Sequence, residues 1–542
     1  MHRGLRLLRS LVATAALFAA ACGGPTELTF LIGAPPNPLL DPFGLAVSDY
    51  VLKTDDGAIV AAVSAGAGRD SDGRLGLGPL DPTLAADLRL DVLSGAQLLG
   101  RARVRGVAIA GGAAHELDAE VRKPLVVVGA ATAPEGGGVL QPPQLFDPTT
   151  SSDLTTRGLS VPGGEAAVFT GDGRTLIATS AQGLSAFDTG TGATRGLTAL
   201  PFPPALLAIT RDDGALALIE RGGTSSRVLL YADLAALLAG TIPAAVTATI
   251  ASGVPRAAHF SASGDMLYVL VEDSGSEPCT GAVPPPSRIV PVDRGGRVGA
   301  PIAMPSYVAD FAVDRAGRLV LAETSADDIS ILTLTTADGS GGVGAPVRLY
   351  SATCPTALRL LDDQVFAFTN DATAGGNDFS LLRGRLDGSL PVRLSIPRPT
   401  YEHLLNTSST RDKLTRLQLE FVSFAVSALE MAVSPDGSRA VIATRARYRE
   451  DGKQAFDFVG LTCAATVDIV EHGLFSVDLV AGAASYVARS QSTIVPARPL
   501  TDPCVRCEED LGGGNILSLN LRCPSAPGDR AAGLAAAFSG AP

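Results

Sequence analysis

Few residues in this chain combine a reactive type with a spacing that chemistry uses. Four histidines lie beyond the first ten residues, His115, His259, His403 and His472, and no two stand close enough along the chain to make a local metal pair. Cys504 and Cys507 have C-x-x-C spacing, but no second such pair and no neighbouring histidine completes a zinc set. Asp70-Ser71-Asp72-Gly73 opens like a calcium loop, yet Arg74 occupies a ligand position and no Glu follows at the twelfth, which describes a solvated turn. The glycine runs at 136–138 and 512–514 precede no helical pattern, so they are not phosphate loops, and no G-x-S-x-G elbow occurs in a matching context. His259, Asp310, Arg359 and Glu430 remain. They are the polar candidates of inner strands and would suit acid–base hydrolysis if a fold brought them together. No metal or cofactor is expected.

The elements that would position these four are short strands. The chain has 542 residues, too many for one core, with 46% hydrophobic residues, 5% aromatics and no Trp. The core must therefore be built from Val, Leu, Ile and Ala, and the lack of aromatics argues against a sugar-stacking platform. The 60 Gly and 37 Pro fit many turns. Net charge is −12 with no basic run, which excludes a nucleic-acid footprint.

One hairpin recurs. Its clearest copy is Met431-Ala-Val-Ser-Pro-Asp-Gly437, followed by a second apolar run to Thr444. Pro435 pre-sets φ for the turn and Gly437 takes a conformation that side chains resist. Weaker copies begin at 167, 207, 258, 311 and 357. A third strand follows each, often closing on an acid: 184–188, 228–233, 289–293, 329–334, 379–387 and 474–478, with a seventh at 516–520. Seven such units over roughly 365 residues give about 52 each, the range of a four-stranded propeller blade. The array, over residues 159–523, resembles the bacterial YVTN and WD40-like β-propellers, most strongly at Ser434-Pro435-Asp436-Gly437. The resemblance implies a ring of seven blades, six being the alternative, with no site carried over. His259 falls in an innermost strand, where packing against small neighbours accounts for it equally well. Two stretches break the repeat, 397–426 and 445–462, and are the partner-facing candidates.

Upstream, residues 28–130 alternate apolar runs and turns as an immunoglobulin-like β-sandwich would, and 131–158 reads as a linker. Residues 524–542 read as a flexible tail. At the start, Arg3, Arg6 and Arg9 precede the apolar run 11–21, the pattern of a signal peptide over 1–21. Residues 18–23, Phe-Ala-Ala-Ala-Cys-Gly, resemble the lipobox of bacterial lipoproteins, with Ala19 where that family prefers Leu. The resemblance implies acylation at Cys22, a tether over 22–27, and, since Gly23 and not Asp follows, the outer membrane in preference to the inner. Ordinary cleavage beside a spare cysteine is the alternative. Six cysteines remain, Cys279, Cys354, Cys463, Cys504, Cys507 and Cys523, an even number that suits disulfides in an exported chain. Cys279 with Cys354 and Cys463 with one of the last three are the pairings that sequence position suggests.

The reading is an all-β, lipid-anchored protein. Its propeller would act as a non-enzymatic binding or scaffold module for a protein or envelope partner. A hydrolase or lactonase working in the central channel is the alternative, and a part in periplasmic envelope assembly is a third.

Overall fold

The computed structural model describes residues 26–538 apart from internal stretches, the longest being 133–143, 274–284, 335–343, 397–417, 496–504 and 522–531. Its first unit is a sandwich of seven strands: β1 (Thr26–Gly33), β2 (Asp49–Thr54), β3 (Ile59–Ser64), β4 (Arg74–Leu80), β5 (Ala85–Ser94), β6 (Gln97–Ala108) and β7 (Ala114–Glu120). One sheet has the order β4-β1-β7, with β1 and β7 parallel, and the other β3-β2-β5-β6. Alternation sends Leu28, Phe30 and Ile32 of β1 against Tyr50, Leu52, Leu88, Leu90 and Val92 of the facing sheet. The same alternation turns Lys53, Arg89, Asp91, Arg101, Arg103 and Arg105 to the sheet's outer face.

Five four-stranded blades follow. Blade 1 holds β11–β14, after β8 (Val126–Thr132), β9 (Gln144–Asp147) and β10 (Ser152–Asp153); its strands are Ala167–Phe169, Thr175–Ser180, Gly183–Asp188 and Thr194–Thr198. Blade 2 holds β15–β18 (Pro204–Ile209, Leu216–Glu220, Ser225–Tyr231, Ala245–Ala251), and blade 3 holds β19–β22 (Val254–Phe260, Met266–Glu272, Arg288–Asp293, Ile302–Ala303). Blade 4 holds β23–β26 (Val308–Val313, Leu319–Glu323, Asp328–Leu332, Val347–Ser351), and blade 5 β27–β30 (Pro355–Leu361, Gln364–Asn370, Phe379–Arg385, Val392–Ile396). Blade 6 is built on β31 (Gln418–Val433), β32 (Arg439–Phe456), β33 (Leu461–Asp478) and β34 (Ala483–Arg489), to which β35 (Thr493–Val495), β36 (Val505–Asp510) and β37 (Ile516–Leu521) are added. The last strand is β38 (Ala532–Phe538).

Local chemistry explains the recurring hairpin. The Ser434 hydroxyl donates to Asp436 Oδ1 (2.6 Å) and accepts from the Arg439 amide (2.8 Å), while Gly437 sits at φ +68°. Thr170 makes the same pair of bonds, to Asp172 (2.7 Å) and from the Thr175 amide (3.0 Å). A hydroxyl, an acid two residues on and a glycine therefore close the turn, with side-chain bonds added to backbone bonds such as Gly437 N–H to Ser434 O (2.9 Å) and Gly173 N–H to Thr170 O (2.8 Å). The acids that end the third strands do a matching job: Asp188 and Asp478 each accept two amides of the next turn at 2.8–2.9 Å.

The ring closes with seven blades, but the seventh differs from the sequence expectation. Innermost strands neighbour one another in the order β11, β15, β19, β23, β27, β31, β38 and back to β11. The seventh sheet is β10-β9-β8-β38: three strands from before blade 1 and one from the end of the chain. So 131–158, expected as a linker, supplies two outer strands, and the expected tail supplies the innermost one. The sandwich gives up β8 at its expected end for the same reason, since all seven residues of β8 pair with β38. The strand at 516–520 lies in β37, an addition to blade 6, because β36 pairs with β33 and β37 with β36. Closure by strands from both ends leaves the ring no open edge.

The repeat-breaking stretches also differ from loops. Their described residues, 418–426, 445–456 and 461–462, are antiparallel strand: Arg445 faces His472 and pairing runs on to Phe456 opposite Leu461. Twelve residues per strand continue past the blade on each of β32 and β33, an arm about 40 Å long.

Candidate functional site

The four polar residues proposed from sequence fall in the innermost strands of four consecutive blades: His259 in β19, Asp310 in β23, Arg359 in β27 and Glu430 in β31. A β-bulge interrupts each of these strands, as it does β15, between Pro204 and Leu206, Pro255 and Ala257, Val308 and Asp310, Pro355 and Ala357, and Ala428 and Glu430. It re-aims the residues that follow. Three of the four come together. Arg359 Nη1 meets Asp310 Oδ2 at 2.9 Å, and the His259 ring stands edge-on to Phe311 with centroids 5.0 Å apart. Glu430 is placed only by its backbone, opposite Ala443.

The cluster lies between blades, where side chains of innermost strands face the neighbouring blade. Asp310 is buried and its oxygens are engaged: Oδ1 accepts from the Phe311 amide (2.9 Å), and Oδ2 from the Leu358 amide (2.8 Å) as well as Arg359. That makes it a strut between blades 4 and 5, with each carboxylate oxygen accepting at least one bond. Burial, and next the Arg359 charge, lower the His259 pKa to about 4, against the partial opposition of Asp310. A neutral imidazole this weakly basic hydrogen-bonds and packs but accepts protons poorly at neutral pH.

A pH prediction follows. The unfolded imidazole takes up a proton near pH 6.5 and the folded one only near 4, so His259 favours the folded state above about 6.5 and loses that contribution as pH falls to about 4. An NMR titration should find this imidazole neutral at pH 5.5, and His259→Leu should flatten the stability profile between pH 6.5 and 4. A titration midpoint above 6 would contradict it.

Antiparallel strands alternate direction, so the first and third turns of every blade emerge at one mouth of the ring and the other connections at the opposite mouth. The sandwich covers the first mouth. Arg101 Nη2 donates to the Pro435 carbonyl of the blade 6 turn (3.2 Å), and Arg105 bonds Asp212 O (2.5 Å) and Asp213 Oδ2 (2.6 Å) in blade 2. Arg89 approaches Asp362 of blade 5 at 3.9 Å, and Arg122 approaches Asp188 of blade 1 at 3.9 Å. Lys123 reaches Asp147 of blade 7 at 2.8 Å. An arc of five blades, from blade 5 through blade 7 to blade 2, thus meets the sandwich through basic side chains. Arg101 and Asp91 anchor the face, at 2.5 and 3.0 Å, with Lys53 also 3.0 Å from Asp91.

Sequence reasoning missed this interface. Its signal is Arg101-Ala-Arg-Val-Arg105, arginine at every second residue of a strand, which commits one face to charge. Also missed were Glu220, Glu272 and Glu323, which end the second strands of blades 2 to 4 beside the opposite mouth. All three are paired: Glu220 with Arg227 (2.7 and 2.8 Å), Glu272 with Arg256 and the Tyr307 hydroxyl (2.9 Å), Glu323 with the hydroxyls of Ser306 (2.5 Å) and Ser330.

Among the other residues singled out, His115 lies in β7 of the sandwich and His472 in β33, both away from the cluster. Asp70 closes its own turn, accepting the Asp72 (3.0 Å) and Arg74 (2.8 Å) amides. Cys354 is disulfide-bonded. Cys463 lies in β33 and Cys507 in β36. Cys22, Cys279, Cys504, Cys523 and His403 lie outside the described residues. Among the described residues no group of three His, Cys, Asp or Glu is placed to hold a metal, and no helix is long and apolar enough to cross a membrane.

No family model and no curated protein matches the sequence. Among solved structures the chain is similar to Kuenenia stuttgartiensis hydrazine synthase, at 14% identity over 66% of this chain and 96% of that one, TM-score 0.36. It is similar also to a Bacteroides fragilis protein provisionally assigned as a 6-phosphogluconolactonase, at 10% identity over 77% and 98%, TM-score 0.34. TolB from Acinetobacter baumannii matches at 14% identity over 59% and 78%, TM-score 0.32. Likeness at this level carries no chemistry across, and the seven-bladed ring follows from this chain's own sheet order.

Proposed function

We propose that the protein is an exported lipoprotein, acylated at Cys22, whose propeller binds a protein or envelope partner without catalysing a reaction. One observation carries most of the weight: the polar side chains that could serve a channel site are spent on one another. Asp310 and Arg359 brace two blades, the three glutamates at the opposite mouth are paired, and the sandwich covers the first mouth. A ring so arranged offers its uncovered face and the blade 6 arm to a partner. The sandwich serves as spacer. Cys22 stands four residues before Thr26, and β1 runs about 26 Å from there to Gly33, whose following loop bonds blade 1 through Asn37 and Gly190 at 3.2 Å. Outer-membrane residence and a pairing of Cys279 with Cys354 belong to the same proposal.

The test compares the full chain with Cys22→Ala and places a photo-crosslinking residue at Ala326, on the uncovered face, or at Arg195, on the outer strand of blade 1. Expected are loss of membrane association in C22A and adducts from position 326 exceeding those from 195. Turnover of a lactone panel by the purified chain, abolished in Asp310→Ala, would replace this reading with the channel hydrolase. Equal, background-level adducts at both positions would remove the uncovered face as the binding surface.

A further inference from the structure

We propose that Cys463 and Cys507 form a disulfide that fastens β36 and β37 to the arm of blade 6. The register of β33 on β36 carries the inference: Thr462 faces Glu508, Cys463 faces Cys507, Ala464 faces Arg506 and Ala465 faces Val505. Directly opposed residues of an antiparallel pair have Cα atoms about 4.5–5.5 Å apart, inside the 4.4–6.8 Å range that a disulfide spans. A slip of one residue would end that opposition.

The attachment also needs a fastener. Among the described residues β36 meets β33 over those four pairs and β37 pairs with β36, whereas β32 and β33 pair over 18 residues each. Two strands bound so briefly fray readily, and a covalent bond at the second of four pairs removes that freedom.

The step is a two-electron oxidation. Both thiols lose their protons, one S–S bond forms, and the electrons pass by thiol–disulfide exchange to a disulfide oxidoreductase or oxidised glutathione. Oxidation in the cell rests on the exported reading above; the pairing itself does not.

Tryptic mapping without reduction tests it, because cleavage after Arg489, Arg506 and Arg522 puts Cys463, Cys504, Cys507 and Cys523 on four separate peptides. The full chain is taken from the membrane fraction and, in parallel, refolded in a glutathione couple. The expected product in both is peptide 454–489 joined to peptide 507–522, and Cys463→Ser should leave Cys507 open to alkylation. Peptide 454–489 joined to 490–506 or 523–530, or Cys463 alkylated in the refolded chain, would overturn the pairing. The expected product from refolded chain alone would sustain the pairing and count against export.

Discussion

Asp91→Ala lowers the stability of the sandwich by about 3–5 kcal/mol, the cost of stripping one partner from a buried ion pair. Asp91 is fully buried and Arg101 is 7% exposed, so neither charge has water to turn to. The geometry is bidentate, and Lys53 adds a second cation at 3.0 Å. Removal of the carboxylate leaves two cations on a face built to hold the pair. Asp436, close enough to favour the charged guanidinium, takes up part of the loss and keeps the figure towards its lower end. Hydrogen exchange followed by mass spectrometry is the suitable measurement, because protection of β2, β5 and β6 should fall while blade 3 stays protected. The double variant Asp91→Leu/Arg101→Met should recover most of the loss, since a packed apolar pair replaces a desolvated ionic one. Recovery absent, or a change below about 1 kcal/mol, would show the pair to be a surface-like contact.

The pH dependence has a definite sign. Burial raises the Asp91 pKa, but the Arg101 and Lys53 charges outweigh it and hold the carboxyl below its ordinary value. A depressed folded pKa contributes stability above the unfolded value, near 3.9, that drains away as pH falls below it. Asp91→Ala should therefore differ most from the wild type at pH 5–8 and converge with it in strong acid.

What could be read from the sequence was what is closed locally. The Ser434 and Thr170 turns are fixed by bonds reaching five residues, so their spelling shows wherever a blade begins. The same locality exposed the acids that end the third strands. What could not be read depends on distant partners. Arg101 to Arg105 are visible as an alternating stripe, yet their acceptors lie 334 and 108 residues away. Likewise, His259, Asp310 and Arg359 stand out in the sequence as polar residues of inner strands. Their orientation depends on a bulge in each strand and on the packing of blade against blade, and no local pattern announces either. The hairpin that looked like pure scaffold has a second use: its Pro435 carbonyl is where the sandwich takes hold of blade 6.

Truncation after residue 531 should disrupt the propeller far more than its eleven residues suggest. That segment contains β38, an apolar run expected as a flexible tail, and it is the one innermost strand of blade 7. It pairs residue for residue with β8, from Ala532 opposite Thr132 to Phe538 opposite Val126, and lies between β31 and β11. Its loss exposes β8 as an edge, deprives two neighbouring blades of a packing surface and leaves a ring with a gap. The expected result is a large fall in the thermal midpoint and rapid proteolysis in blades 1, 6 and 7, with the sandwich transition retained. Ala535→Pro isolates the strand pairing from chain length: a proline has no amide to give the ladder at the central pair, where Ala535 faces Gly129, so the thermal midpoint should fall with the chain at full length. Addition of a synthetic peptide of residues 530–542 to the truncated chain should restore part of the protection in β8, because the vacant position is a strand-shaped slot with main-chain groups on its β8 side. If the truncated chain melts with the wild type, β38 is dispensable and the ring is held by the five contacts among its other inner strands. Closure matters for more than stability, since an intact seventh blade is what lets the sandwich grip blades on both sides of the seam. The strands that close the ring and the basic face that covers it thus meet at the same seam, through Lys123 and Asp147 of blade 7 and Arg122 and Asp188 of blade 1.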